Sequence, residues 1–249
     1  MTRRFFVEAA TLAGERIELE GALAHRLAKV LRLRVGDDVV LFDGSGDDVR
    51  VRLEDVHDRR IGAAVIERGP GPREPRLRVH LYQSITKGDR FEWLLEKATE
   101  IGVASITPLV ASRAVVKTPA DGHRAERWRR IVVEAAEQCE RSTIPHIGAP
   151  IAFDDALRAA PGVLLLPYEG AGDAAPSIHD TLNRRVDDVF ALAAASIFIG
   201  PEGGYEPAEV ERAQAAGAEI VTLGDRVLRS ETAGLVAATL VMHAAGELG

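Results

Sequence analysis

The chain has 249 residues, 46% hydrophobic and 28% charged, the balance of a soluble globular protein with enough length for one or two domains. A net charge of −7 and a pI near 5.6 argue against a general nucleic-acid binder, although a local basic patch remains compatible with them. The single cysteine, Cys139, excludes an internal disulfide and fits a reducing cytoplasm. The start carries no secretory pattern, and the uncharged stretch from Thr232 to Gly246 is too short and too rich in small residues to span a membrane.

In chain order, residues 1–68 read mostly as β. Arg4–Val7, Val39–Phe42, Asp48–Leu53 and Ile61–Ile66 are short strand candidates, and the third alternates polar with apolar residues. Asp43-Gly44-Ser45-Gly46 is a turn between two of them. One helical piece, Gly21–Leu31, spaces Leu23, Leu27, Val30 and Leu31 on a face. Together these predict a small β-barrel over residues 1–70. Arg3, Arg4, Arg26, Lys29, Arg32 and Arg34 cluster there, either as a solvated face or as a phosphate-contacting patch. Gly69 to Pro75 holds three prolines and two glycines; it excludes regular structure and sets the domain border.

From residue 76 to 249 strand and helix patterns alternate, which predicts a parallel α/β sheet. Arg78–Gln83, Ala104–Val110, Gly162–Pro167, Ala193–Ile199 and Glu219–Leu223 read as strands. Helices are expected over Asp89–Ile101, ended by Gly102, over Arg124–Glu140, and from about Glu231 to Glu247. Gly170 to Pro176 reads as a flexible loop.

The buried strand ending at Ile199 runs into Gly200-Pro201-Glu202-Gly203-Gly204, then a helical pattern with Pro207 in its first turn. A strand, a glycine turn and a helix N-terminus form a geometry in which main chain faces a ligand. About twenty residues on comes Leu223-Gly224-Asp225-Arg226-Val227-Leu228-Arg229-Ser230-Glu231-Thr232-Ala233. No His/Cys/Asp cluster has metal-ligand spacing, so no metal is expected.

These two stretches resemble the RsmE family of the SPOUT superfamily, enzymes that methylate N3 of a uridine in 16S ribosomal RNA with S-adenosylmethionine. His25, Leu31-Arg32, Gly36-Asp37, Phe42-Asp43-Gly44, Lys87-Gly88, Glu96–Gly102 and Glu137–Arg141 also match the family's pattern. Ala111-Ser112-Arg113 departs from it, because the usual acidic residue is missing. The resemblance implies a PUA-like RNA-binding barrel over residues 1–70 and a SPOUT-type parallel sheet with a deep trefoil knot over 76–249. It implies a cytoplasmic homodimer whose partner is 16S rRNA or the small ribosomal subunit.

Carried over residue by residue, the cofactor contacts are Leu165, Leu166 and Pro167; Ile199, Gly200, Pro201, Glu202 and Gly203; and Leu223, Gly224, Val227, Leu228, Ser230 and Thr232. For Leu165 and Val227, plain core packing is an equal alternative. Uridine N3 must lose a proton, which leaves negative charge on O2 and O4. Arg229 or Arg141 is expected to steady those oxygens, with Glu231 assisting proton removal or fixing the arginine; the alternative, compatible with it, is that Glu231 caps the last helix. Lys87 and Arg113 are expected to meet RNA phosphates along with Arg3, Arg4, Arg26, Lys29 and Arg32. Cys139 reads as a small buried hydrophobe, and His243 as a core or interface residue. The nearly all-apolar final helix favours a C2 dimer. The alternatives are a SPOUT enzyme for ribose 2′-O or another base, and a non-catalytic RNA-binding relative.

Overall fold

The computed structural model describes residues 3–114, 122–172, 175–185 and 189–249. The chain divides into two compact units, Met1–Glu74 with Val133–Ile144, and Pro75–Val132 with Pro145–Gly249. Asp173 and Ala174, part of the expected flexible loop, lie outside the described residues.

The first unit holds β1 (Arg4–Phe6), β2 (Arg16–Glu20), α1 (Gly21–His25), β3 (Asp38–Phe42), β4 (Asp47–Val56) and β5 (Arg60–Pro70). They form a curled five-stranded sheet in the order β1-β3-β4-β5-β2, antiparallel except for β1 on β3. Alternation does the work in β4: Val49, Val51 and Leu53 point into the core, where Ile17 and Leu19 of β2 meet them. β2 lay outside the sequence expectation because it shows only two apolar positions between charged ones. α1 runs on through a π-helical turn, Arg26–Val30.

The expected irregular stretch from Gly69 is corrected at its start. Gly69 and Pro70 finish β5, opposite Asp48 and Asp47. Beyond Ala64, β5 pairs with β4 alone, so Pro70 forfeits no donor that a second neighbour would use. Residues 133–144 belong to this unit through polar contacts. The Glu137 carboxylate accepts from the Phe6 N–H at 3.0 Å, and Ser142 Oγ donates to Asp48 at 2.6 Å.

The second unit is built on β6 (Arg78–Ser84), α2 (Arg90–Ile101), β7 (Ser105–Val110) and the start of α3 (Gly122–Cys139). It continues with β8 (His146–Ile147), β9 (Ile151–Ala152), α4 (Phe153–Ala159), β10 (Val163–Pro167) and α5 (Ile178–Arg185). It ends with β11 (Ala194–Ile199), α6 (Pro207–Ala215), β12 (Glu219–Val221) and α7 (Ser230–Ala244). The sheet order is β12-β10-β11-β6-β7-β8, with β9 also on β7, and every pairing is parallel. This is the parallel sheet that the alternating pattern predicts. α2 buries Phe91, Leu94, Leu95 and Ala98 and stops at Gly102, whose φ of 100° only glycine holds without strain. On one side of the sheet Tyr82 stacks on Phe198 with ring centres 4.8 Å apart, and Phe153 packs on Tyr205 at 5.1 Å. After edge strand β12 the chain returns across the sheet, and α7 packs on β6, β11, α2 and α5.

His80 in β6 sits 2.8 Å from Ser105 Oγ, and burial, then the nearby Arg78 charge, lower its pKa from the ordinary 6.5. The folded chain therefore keeps this ring neutral where the unfolded chain protonates. Stability is fully present above about pH 6.5 and falls as pH drops below it. Urea midpoints measured from pH 7 to pH 5 should decline for the wild type, and His80→Gln should flatten that decline.

Candidate functional site

The site follows from strand register. Leu165 lies opposite both Ile197 and Glu219, and Pro167 lies opposite Val221. The carboxyl ends of β10, β11 and β12 therefore come out side by side, where parallel sheets present their ligand crevice. The segments that follow them enclose a cavity of about 610 Å³.

Pro167, Ile199, Gly200, Pro201, Glu202, Leu223, Gly224, Val227, Leu228 and Ser230 line it, as does Arg229. Leu165 and Leu166 do not; both are fully buried core residues. Gly203 is exposed outside the lining and uses its carbonyl to accept from Arg113, and Thr232 is also outside it. The alternative for Val227 resolves the other way, because this side chain is 83% exposed and packs in no core.

The glycine turn needs its glycines. A Cβ on Gly200 would meet the Tyr205 ring at 3.0 Å, and Gly204 holds a φ of 68°, which residues with a side chain rarely adopt. Tyr205 cannot give way, since it is packed against Phe153. Burial, then the charges of Glu209 and Glu169, push its phenol far above 10, so it stays protonated.

One expectation is reversed. The helix after the glycine turn, α6, does not offer its N-terminus to a ligand. A capping box of Glu206 and Glu209 closes it, and Glu209 accepts from the Glu206 N–H at 2.9 Å and the Ser112 N–H at 2.8 Å. The helix that starts uncapped at the cavity is α7: Arg229 holds its N-cap position without a side-chain bond.

Arg141 is a second correction. It lies in the first unit, where its guanidinium grips Glu74 at 2.7 to 3.2 Å, and it does not line the cavity. The cavity instead carries Arg90, which no local pattern marked. Arg90 Nη1 donates to Glu202 at 2.8 Å, and its Nε is 3.7 Å from Glu231 Oε1. Glu231 is 6% exposed, sits behind Arg90 rather than on the cavity wall, and leaves Oε2 without a hydrogen bond. Tyr168, Glu169, Asp225 and Arg226 also line it beyond the expected set. Tyr168 and Glu169 were within reach of sequence reasoning, because they directly follow a buried strand.

Among the expected RNA contacts, Arg4 is a correction. It is buried beside the Phe42 ring and bonded through both nitrogens to Asp48 and through one to Ser142, so no phosphate reaches it. Arg3 donates to the Leu31 carbonyl, Arg26 pairs with Glu137 at 2.9 Å, and Lys29 pairs with Asp58 at 2.9 Å. Arg32 and Lys87 are exposed, and Arg32 holds a strained φ of 55°. His243 is exposed on α7 and bonds the Leu248 carbonyl; Cys139 is half-buried. Among the described residues no group of three His, Cys, Asp or Glu could hold a metal ion, and no helix is long and apolar enough to cross a membrane.

A family model for an RNA methyltransferase domain matches residues 72–242, and one for an RNA methyltransferase PUA domain matches residues 19–66. The ribosomal RNA small subunit methyltransferase E of Bacillus subtilis is 30% identical over 253 residues, with 97% of this chain and 96% of that one covered. Its namesake from Mycobacterium tuberculosis is 33% identical over 241 residues, covering 94% and 88%. The solved structure of ribosomal RNA small subunit methyltransferase E from Neisseria gonorrhoeae, bound to S-adenosyl methionine, superposes with a TM-score of 0.84. It is 30% identical and covers 98% of both chains. The chain therefore belongs to the ribosomal RNA small subunit methyltransferase E (RsmE) family, with a SPOUT-type catalytic sheet and a PUA-like unit before it.

Proposed function

We propose that this chain transfers a methyl group from S-adenosylmethionine to N3 of a uridine in the 16S RNA of the small ribosomal subunit. The observation that supports this most is the 610 Å³ cavity at the carboxyl ends of β10, β11 and β12, in a chain of this family. Its volume falls within the range of small-molecule sites. The glycine turn and residues 222–229 form much of the wall, and the main chain of such loops is the kind of partner an adenine edge takes. Glu169, Glu202 and Asp225 supply negative charge that suits a sulfonium. When bound there, S-adenosylmethionine supplies an electrophilic methyl group on that sulfonium.

The protein's part is to hold the acceptor in line and to favour its deprotonated form. We assign Arg90 and Arg229, the former in place of Arg141, to the oxygens flanking N3. Glu231 fixes the Arg90 guanidinium rather than touching the base. The first unit, with Arg3, Arg26, Lys29 and Arg32, would dock RNA, and on the second unit Lys87 and Arg113 would meet RNA phosphates. The knotted path of residues 223–229 and cytoplasmic action belong to the same reading. So does a C2 dimer through the outward face of α7, where Leu240 is 40% exposed and Leu235 and Val236 are partly so.

Calorimetric titration with S-adenosylhomocysteine should give one site per chain, and Gly200→Val should weaken it at least tenfold. Primer extension on small subunits incubated with enzyme and cofactor should stop at one uridine; no binding and no stop would overturn the proposal. Arg90→Met should leave S-adenosylhomocysteine affinity within about twofold and lower turnover by about 10²-fold, the usual effect of removing one oxyanion donor. Its rate should also rise toward higher pH than that of the wild type, because N3 then loses its proton without a neighbouring cation. An unchanged pH profile would remove Arg90 from this role.

A further inference from the structure

Gln83 is the penultimate residue of β6, opposite Ile199 in β11, and is wholly buried. Its amide lies on no cavity wall, yet it is bonded to one. Gln83 Nε2 donates to Ser230 Oγ at 2.8 Å, and Ser230 Oγ donates in turn to the Gly200 carbonyl at 2.6 Å. The direction of this chain is set. An amide N–H can only donate, so the serine hydroxyl must accept from it and spend its one proton on Gly200. The same Nε2 reaches toward the carbonyls of Ser84 and Ser230 at 3.3 and 3.4 Å.

Two further observations show that the fold is shaped around this amide. Gly234 is a glycine in the interior of α7, a place where glycine weakens a helix. A Cβ there would overlap Gln83 Oε1 and crowd Leu94 Cδ1 at 3.2 Å. The glycine is explained by the room the amide needs. Gln83 Oε1 is itself buried without a hydrogen-bond partner. A leucine or methionine would have packed there at no such cost, so the amide is retained for its donor rather than for its bulk.

We propose that Gln83 is a positioning residue for the cofactor site. Through Ser230 it ties the glycine turn after β11 to the uncapped first turn of α7, so that two of the three cavity walls keep one separation. It touches neither cofactor nor base. This rests on reading the cavity as the S-adenosylmethionine site, and it adds to that reading a residue from β6 that lines nothing.

The test is a double-mutant cycle on the full chain, using Gln83→Met, which keeps volume but loses the donor, and Ser230→Ala. S-adenosylhomocysteine affinity should fall about tenfold in each single variant. Because both changes break one chain of bonds, the double variant should also fall about tenfold rather than a hundredfold. The KM for S-adenosylmethionine should rise in parallel while the KM for the small subunit stays put, a split that a general loss of stability would not produce. Amide exchange over residues 224–233 should speed up in the cofactor-free Gln83→Met chain. Should Gln83→Met fail to fold, Gly234→Ala, which presses on the amide from the helix, takes its place in the cycle. Multiplicative losses, or affinity unchanged in either single variant, overturn the proposal while leaving the cavity reading intact. A wild-type chain that binds no S-adenosylhomocysteine overturns both.

Discussion

The hydrogen bond from Ser230 Oγ to the Gly200 carbonyl, 2.6 Å long, joins residues thirty positions apart at the rim of one cavity. Much of the site depends on it. β11 delivers Gly200 to the sheet's carboxyl edge, and α7 delivers Ser230 there after the chain has crossed from edge strand β12. Gly200 lies one residue past the end of β11, and Ser230 opens α7, where the first N–H groups have no partner within the helix. Backbones at such ends have few partners of their own, so a bond between them fixes what the ladder no longer can. The parallel sheet supplies coarse placement, and the serine supplies the last ångström.

Charge is arranged with the same economy. The chain carries −7 overall, yet its expected substrate is a polyanion. Surface cations are already paired: Lys29 with Asp58, and Arg113 near Glu206. An exposed pair of this kind is worth little, roughly 0 to 1 kcal/mol, and salt screens it. Exchanging the carboxylate for a phosphate is therefore inexpensive. It also makes binding conditional, since an RNA must engage several cations together to displace their partners. Arg4 and Arg141 do not belong to that reserve. Each is buried on a bidentate carboxylate, Asp48 and Glu74 respectively, and serves the architecture of the first unit.

What was legible in the sequence was whatever local chemistry controls. The buried run into Ile199 became β11, Gly102 ended α2, and Pro207 opened α6. The two motif stretches supplied most of the cavity wall. What was illegible depended on partners distant in sequence. Nothing near Arg4 says that Asp48 and Ser142 will close over it, and nothing near Arg90 names Glu202 or Glu231. The glycine turn misleads for a different, local reason. A glycine turn before a helix does suggest a free N-terminus, but Glu209, three positions after Glu206, is a capping-box residue that could have been read directly. β2, α4 and α5 were missed because five to eight residues carry too little periodicity to stand out from charged neighbours.

The buried polar atoms left without a hydrogen bond show where the fold gives up stability. Among the described residues they include Gln83 Oε1, Ser84 Oγ, Thr86 Oγ1, Tyr205 Oη and Glu231 Oε2. Each such group costs roughly 1–3 kcal/mol when it could instead have been apolar. These five fall on the end of β6 and the residues after it, on the residue following the glycine turn, and in the first turn of α7. These five gather on the segments around one cavity; Arg4 Nε in the first unit and Thr181 Oγ1 in α5 are the other two such atoms among the described residues. Local destabilisation concentrated on one edge of a sheet is what a preorganised site requires, because donors and acceptors aimed at a reaction cannot all be satisfied by the protein before substrate arrives. The capped helices and the aromatic packing of Tyr82, Phe198 and Phe153 behind that edge offset the loss.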